Sequence, residues 1–242
     1  MMNLTETVLY SCGISLFTSF GIQKVEAKRP NILFIMTDQQ RYDMLSCAGN
    51  RYVHTPSLDQ LAENGVRFER NYCANPVSMP SRFAMITGRF AGEIGYTNNS
   101  TKPDTLRVLP VARESSVGNL FRNAGYETIY SGYPGFYCGR TDITDYGFIQ
   151  NGMDFYDGPS NFAESFFAGY KPEEDKPFFL YLSFMNPHDI CYGAGFDPRF
   201  PDKLRPHQIA ATQKYINFRK TLSEEEYRNQ IPPVPANMEP NG

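Results

Sequence analysis

Two unbroken apolar runs of strand length stand out along the chain. The first, residues 31–36 (Asn-Ile-Leu-Phe-Ile-Met), stops at the polar cluster Thr37-Asp38-Gln39-Gln40-Arg41. The second, residues 177–184, runs Pro-Phe-Phe-Leu-Tyr-Leu-Ser-Phe and gives way to Met185-Asn186-Pro187-His188-Asp189. Continuous runs of this kind predict strands buried on both faces of an α/β sheet. Residues 126–130 predict a further strand and residues 66–69 a short one. Helices are punctuated between them. Thr55 reads as an N-cap with Pro56 at the first helical position, and Gly65 ends that helix. Pro80 opens a helix over 81–87 closed by Gly88, and residues 115–124 form another closed by Gly125. Residues 132–176 are rich in Gly, Pro, Asp and Tyr and read as a long loop region. Residues 231–242 are Pro-rich and irregular, and no internal repeat is visible. In open α/β sheets ligands collect beyond the carboxyl ends of the strands, which is where Asp38 and His188 fall.

Composition narrows the classes. With 242 residues the chain suits one large domain, and 23 Lys plus Arg against 26 Asp plus Glu leave a net charge of −3. That balance lacks the basic footprint of a nucleic-acid binder. Five cysteines without a CxxC pair, and only three histidines, argue against a zinc scaffold.

The first 27 residues differ from the rest. Residues 8–22 are apolar or small and uncharged, yet too short and too interrupted by Ser and Gly for a stable membrane span. Val25-Glu26-Ala27 suits the end of a secretory signal peptide, although Glu6 and the lack of Lys or Arg before it fit such a leader poorly. The division expected is therefore a leader at 1–27 and a domain at 28–242, with export to the periplasm or beyond. The pairing of the remaining cysteines (Cys47, Cys73, Cys138 and Cys191) stays open.

The chemistry concentrates around Ser78-Met79-Pro80-Ser81-Arg82. With Pro80 fixing a helix start, Ser78 is expected just before unpaired backbone N–H groups, a place that suits an anion and a nucleophile aimed at it. Arg82, one turn in, can fork onto sulfate, phosphate or a carboxylate. An ordinary capped helix fits the same five residues. Asp38 and Gln39 offer hard oxygen ligands suited to Ca²⁺ or Mg²⁺, or else a plain turn at a strand end. His188 reads as a proton donor or anion contact, or as a structural loop histidine.

Ser78-Met79-Pro80-Ser81-Arg82, with the trailing Thr87-Gly88-Arg89, resembles the sulfatase signature in its serine form. Three further phrases are similar to the same family. They are the turn Thr37-Asp38-Gln39-Gln40-Arg41, the stretch from His54 to Phe68, and the strand that ends in Pro187-His188. The resemblance implies an alkaline-phosphatase-like three-layer α/β sandwich with a mostly parallel central sheet. It implies that a maturase converts Ser78 to Cα-formylglycine, whose hydrate is the nucleophile. It also implies a Ca²⁺ (or Mg²⁺) held by Asp38, Gln39 and the modified Ser78, with Arg82 and His188 serving catalysis. The expected substrates are sulfated glycans or aryl sulfates. A phosphonate or phosphate ester hydrolase of the same superfamily, or an inactive remnant, stands as the alternative.

Two departures accompany the resemblance. The family follows its Gly-Tyr-x-Thr strand with Gly-Lys-Trp-His, whereas Gly125-Tyr126-Glu127-Thr128 leads here to Gly132-Tyr133-Pro134-Gly135. Arg140 is a candidate substitute for one of the missing groups. The downstream Asp-Asn-Gly or Asp-His-Gly phrase that completes the family's metal site is also absent. The chain therefore reads as the N-terminal part of a sulfatase, expected to bind metal weakly by itself.

Overall fold

The computed structural model describes residues 29–99, 110–133, 143–151 and 157–188, together with 213, 217–218 and 220–230. The leader proposed at 1–27, Cys138, Arg140, Asp189, Cys191 and the tail at 231–242 lie outside the described residues. All elements below belong to the compact unit Asn31–Gly242.

Four strands form one parallel sheet. β1 is Ile32–Asp38, β2 Glu127–Gly132, β3 Ile149–Asn151 and β4 Phe178–Pro187, in the spatial order β1-β4-β2-β3. The helices are α1 (Pro56–Asn64), α2 (Ser78–Thr87), α3 (Ala91–Ile94), α4 (Pro110–Glu114), α5 (Val117–Asn123), α6 (Gly158–Gly169) and α7 (Glu224–Gln230).

Alternation along β2 and β4 sends their side chains into two cores, one on each face. On one face Tyr130, Phe179 and Tyr181 pack with Met79, Phe83 and Ile86 of α2. On the other, Ile129, Phe178, Leu180 and Leu182 meet Phe162, Ala163 and Phe166 of α6. Helix, sheet and helix make three layers, as an α/β sandwich requires. Phe162 and Phe166 are four residues apart on one face of α6, so their rings stack with centroids 5.9 Å apart.

Several expectations need correction. β4 is buried from Phe178 to Ser183, but β1 is not buried on both faces: Leu33 is 43% exposed and Ile35 50%. β1 is an edge strand among the described residues, and α6 covers β2 and β4 rather than β1. No strand forms at 66–69, where Val66 and Phe68 are exposed and no neighbouring backbone pairs with them among the described residues. The helix expected over 115–124 is α5, Val117–Asn123, and it is separate from α4 at Pro110–Glu114 because its N-cap residue Ser116 is extended at φ −62°, ψ 147°. The stretch read as loop, 132–176, contains a 3-10 turn (Ile143–Tyr146), β3 and α6. Its helix begins at Gly158-Pro159, where proline in the first turn marks a start rather than a break.

Candidate functional site

The carboxyl ends of β1 and β4 lie together: Asp38 is the register partner of Pro187, so His188 follows one residue beyond that pairing. Helix α2 points its first turn at the same place. It begins at Ser78 itself, with Val77 as N-cap, rather than at Ser81. Pro80 is thus the third helical residue, where the missing N–H has no intrahelical partner to lose. Ser78 lies inside the first turn, and its hydroxyl turns toward the sheet rather than capping the helix.

The hydroxyl of Ser78 donates to Asp38 Oδ2 at 2.6 Å. Arg82, one turn further along α2, donates from Nη2 to the same oxygen at 2.8 Å and from Nε to Ser78 Oγ at 3.3 Å. Asp38 is 7% exposed and Arg82 3%, so this is a buried ion pair in which each charge offsets the other's desolvation. Two of the three catalytic candidates, Ser78 and Arg82, therefore meet at the first metal candidate, Asp38. His188 reaches the same strand ends through its backbone position.

Three residues absent from the sequence-based candidates complete the setting. Ser183 of β4 accepts from Arg82 Nη1 at 2.6 Å. The carbonyl of Tyr133, just past β2, accepts from Arg82 Nη1 at 3.4 Å and from the Tyr130 hydroxyl at 2.7 Å. The Tyr133 ring also lies beneath the guanidinium, 5.0 Å from Cζ to its centroid. Arg82, expected to fork onto sulfate, phosphate or a carboxylate, here contacts the carboxylate of Asp38, together with Ser183 and the Tyr133 carbonyl. Ser183 had one legible signal, a hydroxyl interrupting an apolar run, which demands a partner once buried. Burial pushes the Tyr130 phenol up to about 12, against the lowering influence of Ser183 and Arg82, so it remains a donor.

Gln39, next to Asp38, has φ 57°, a left-handed conformation uncommon for a residue with a side chain. It turns the chain sharply away at the end of β1. Asp38, Gln39 and Ser78 are hard oxygen donors whose chemistry fits part of the shell of Ca²⁺ or Mg²⁺. No group of three His, Cys, Asp or Glu side chains is gathered for a metal among the described residues. The donor set accordingly fits a hard cation as a partial shell, with one carboxylate already shared by a hydroxyl and a guanidinium. Cys47 and Cys73 are free thiols and take no part.

A model of the Sulfatase family matches residues 30–225. An N-acetylglucosamine-6-O-sulfatase from Bacteroides thetaiotaomicron is 35% identical over 130 residues, 54% of this chain and 22% of that protein. A Delta 4,5-hexuronate-2-O-sulfatase from the same organism is 30% identical over 175 residues, 68% of this chain and 35% of that protein. The solved structure of a 2-O GAG sulfatase superposes with a TM-score of 0.56 at 24% identity, covering 68% of this chain and 36% of that one. The likeness of fold agrees with the parallel three-layer sandwich. The chain spans 22% to 35% of the length of these two curated relatives.

Proposed function

Since the chain belongs to the sulfatase family, we propose that it carries the nucleophile-bearing part of a sulfuric ester hydrolase acting on sulfated carbohydrates. The observation that carries this reading is the 2.6 Å contact of the Ser78 hydroxyl with Asp38, bridged by the buried Arg82. Plain serine is a weak nucleophile. Ser78 is therefore read as the precursor of a formylglycine, whose hydrate would supply one hydroxyl to displace the alcohol from sulfur and a second whose deprotonation would expel sulfate and restore the aldehyde.

The chain's own residues then have distinct tasks. Asp38 accepts the hydrogen bond of the Ser78 side chain and fixes its direction toward the strand ends. Arg82 neutralises Asp38 and holds Ser78 from the opposite side, so the side chain at 78 is oriented before substrate arrives. His188, at the end of β4, is assigned to the leaving group or the sulfate. Asp38, Gln39 and Ser78 would hold Ca²⁺ or Mg²⁺, which when bound offsets charge on the sulfate. The carbohydrate class rests on relatives named for N-acetylglucosamine and hexuronate sulfates. Export belongs to the same proposal and rests on the uncharged stretch 8–22.

The test is coexpression with a serine-type maturase. Conversion should lower the mass of the peptide spanning Ser78 by about two daltons, the loss of two hydrogens. Sulfate release from an aryl sulfate and from 6-O-sulfated N-acetylglucosamine should exceed that of Ser78→Ala. An unmodified Ser78 with release no greater than the Ser78→Ala control would overturn the reading, and a preference for an aryl phosphonate would replace it.

A further inference from the structure

Among the described residues, Arg82 is the cation buried at the centre of the site, and something must keep it on Asp38 and Ser78. From the packing around it, we infer that Tyr133 is the positioning residue for Arg82, through its ring and its carbonyl together. The inference rests on the site proposed above.

An arginine side chain has rotamer freedom to lose on being fixed, and its planar face needs cover where hydrogen bonds cannot reach. Asp38 Oδ2 and Ser183 Oγ take the edge of the guanidinium at 2.8 and 2.6 Å. The Tyr133 ring, 5.0 Å from Cζ, covers a face. A cation over an aromatic ring gains electrostatic attraction, and more so when desolvated. The backbone of Tyr133 is itself locked. Its N–H donates to the Ser183 carbonyl at 2.9 Å, and its carbonyl accepts from Tyr130 at 2.7 Å. Gly132, at φ 101°, allows this approach, since a Cβ there would collide with the Ser183 carbonyl. The chain from Tyr130 to Tyr133 thus closes around Arg82 from the sheet side, while α2 presents Arg82 from the other. Tyr133 occupies the place after Gly132 where the resemblance leads one to expect lysine. Its aromatic ring steadies the existing cation instead of adding a second one.

Two independent readouts test this on the matured chain. Stacking over a ring shifts the Arg82 side-chain proton signals upfield. Tyr133→Phe should keep that shift and Tyr133→Leu should abolish it. In hydrolysis of an aryl sulfate, Tyr133→Leu should lose roughly ten- to a hundredfold in kcat/KM, the scale expected when a reacting group is misplaced by about 1 Å. The loss should fall mainly on kcat, and Tyr133→Phe should restore most of it. An Arg82 signal that is the same in Tyr133→Leu and the parent chain overturns the inference. So does full kcat/KM in Tyr133→Leu, or a gain in Tyr133→Lys, which would mean the site lacks a cation rather than a platform. If the parent chain releases no sulfate, the proposed function fails, while the Arg82 signal still decides whether Tyr133 holds it.

Discussion

The two ends of the ion pair at the site sit on unequal ground. Arg82 springs from a helix whose inner face is buried and is clasped by β2 and β4, both covered above and below. Asp38 springs from β1, whose Leu33 and Ile35 face outward without cover among the described residues. One partner therefore stands on a helix packed against covered strands, and the other on a strand that β4 holds along one edge. In such an arrangement the nucleophilic side chain is held between the two, by Arg82 on its own helix and by a single carboxylate oxygen of Asp38 on β1.

The largest expected effect comes from cutting that link. Arg82→Met removes the counter-charge and leaves Asp38 buried and unpaired, which costs on the order of 3–5 kcal/mol. Urea unfolding should show this loss, and adding Asp38→Asn should recover part of it, because the stranded charge goes too. A simple sum of the two single losses would mean that the pair is not coupled. Next in size is a cavity on the covered side. Leu180 is fully buried in β4, so Leu180→Ala should cost roughly 3 kcal/mol by the same measurement.

Alkaline pH probes the covered half by another route. Burial raises the Tyr130 phenol to about 12 and pushes Tyr181 up as well. A folded value above the unfolded one, about 10, means the protonated phenol is favoured by folding. Its contribution is complete below about pH 10 and is lost as the pH climbs toward 12. For Tyr130 the rise to about 12 corresponds to roughly 2–3 kcal/mol. Stability followed by circular dichroism should fall across that window, and Tyr130→Phe should flatten the fall. An unchanged slope in Tyr130→Phe would remove Tyr130 as its source.

The same contrast explains what could be read from the chain alone. Strands β1, β2 and β4, the helix at Pro56 and the Ser78–Arg82 segment were legible because local signals settle them: apolar runs, a proline in a first turn, a closing glycine. What those signals cannot carry is who covers whom. The run 32–36 looks like a doubly buried strand by composition, yet burial depends on a neighbour that α6 does not provide. Val66 and Phe68 have strand character without a strand to pair with among the described residues. Likewise Ser78, Arg82 and Asp38 could be picked out singly, but Ser183 and Tyr133 lie 101 and 51 residues from Arg82 and join it only through the parallel register of β2 and β4. α6 was missed because its Gly-Pro opening resembles loop punctuation until the four-residue spacing of Phe162 and Phe166 is given a sheet to face.

The smallest effect sharpens the comparison most. Ile35 sits two strands from Ile129 in the same sheet, and an apolar residue of its size normally contributes about 1.5–3 kcal/mol when fully buried. At 50% exposure on the edge strand it should contribute about half of that. Ile35→Ala is expected to change unfolding free energy by about 1 kcal/mol, whereas Ile129→Ala should cost at least about 2 kcal/mol. The difference isolates cover from residue type, since both are isoleucines in parallel strands. If Ile35→Ala proved as costly as Ile129→Ala, the outer face of β1 would have to be covered in solution, and Asp38 would then rest on a support as firm as that of Arg82. A small effect leaves the asymmetry standing, with Arg82 the better supported of the two partners that orient the Ser78 side chain.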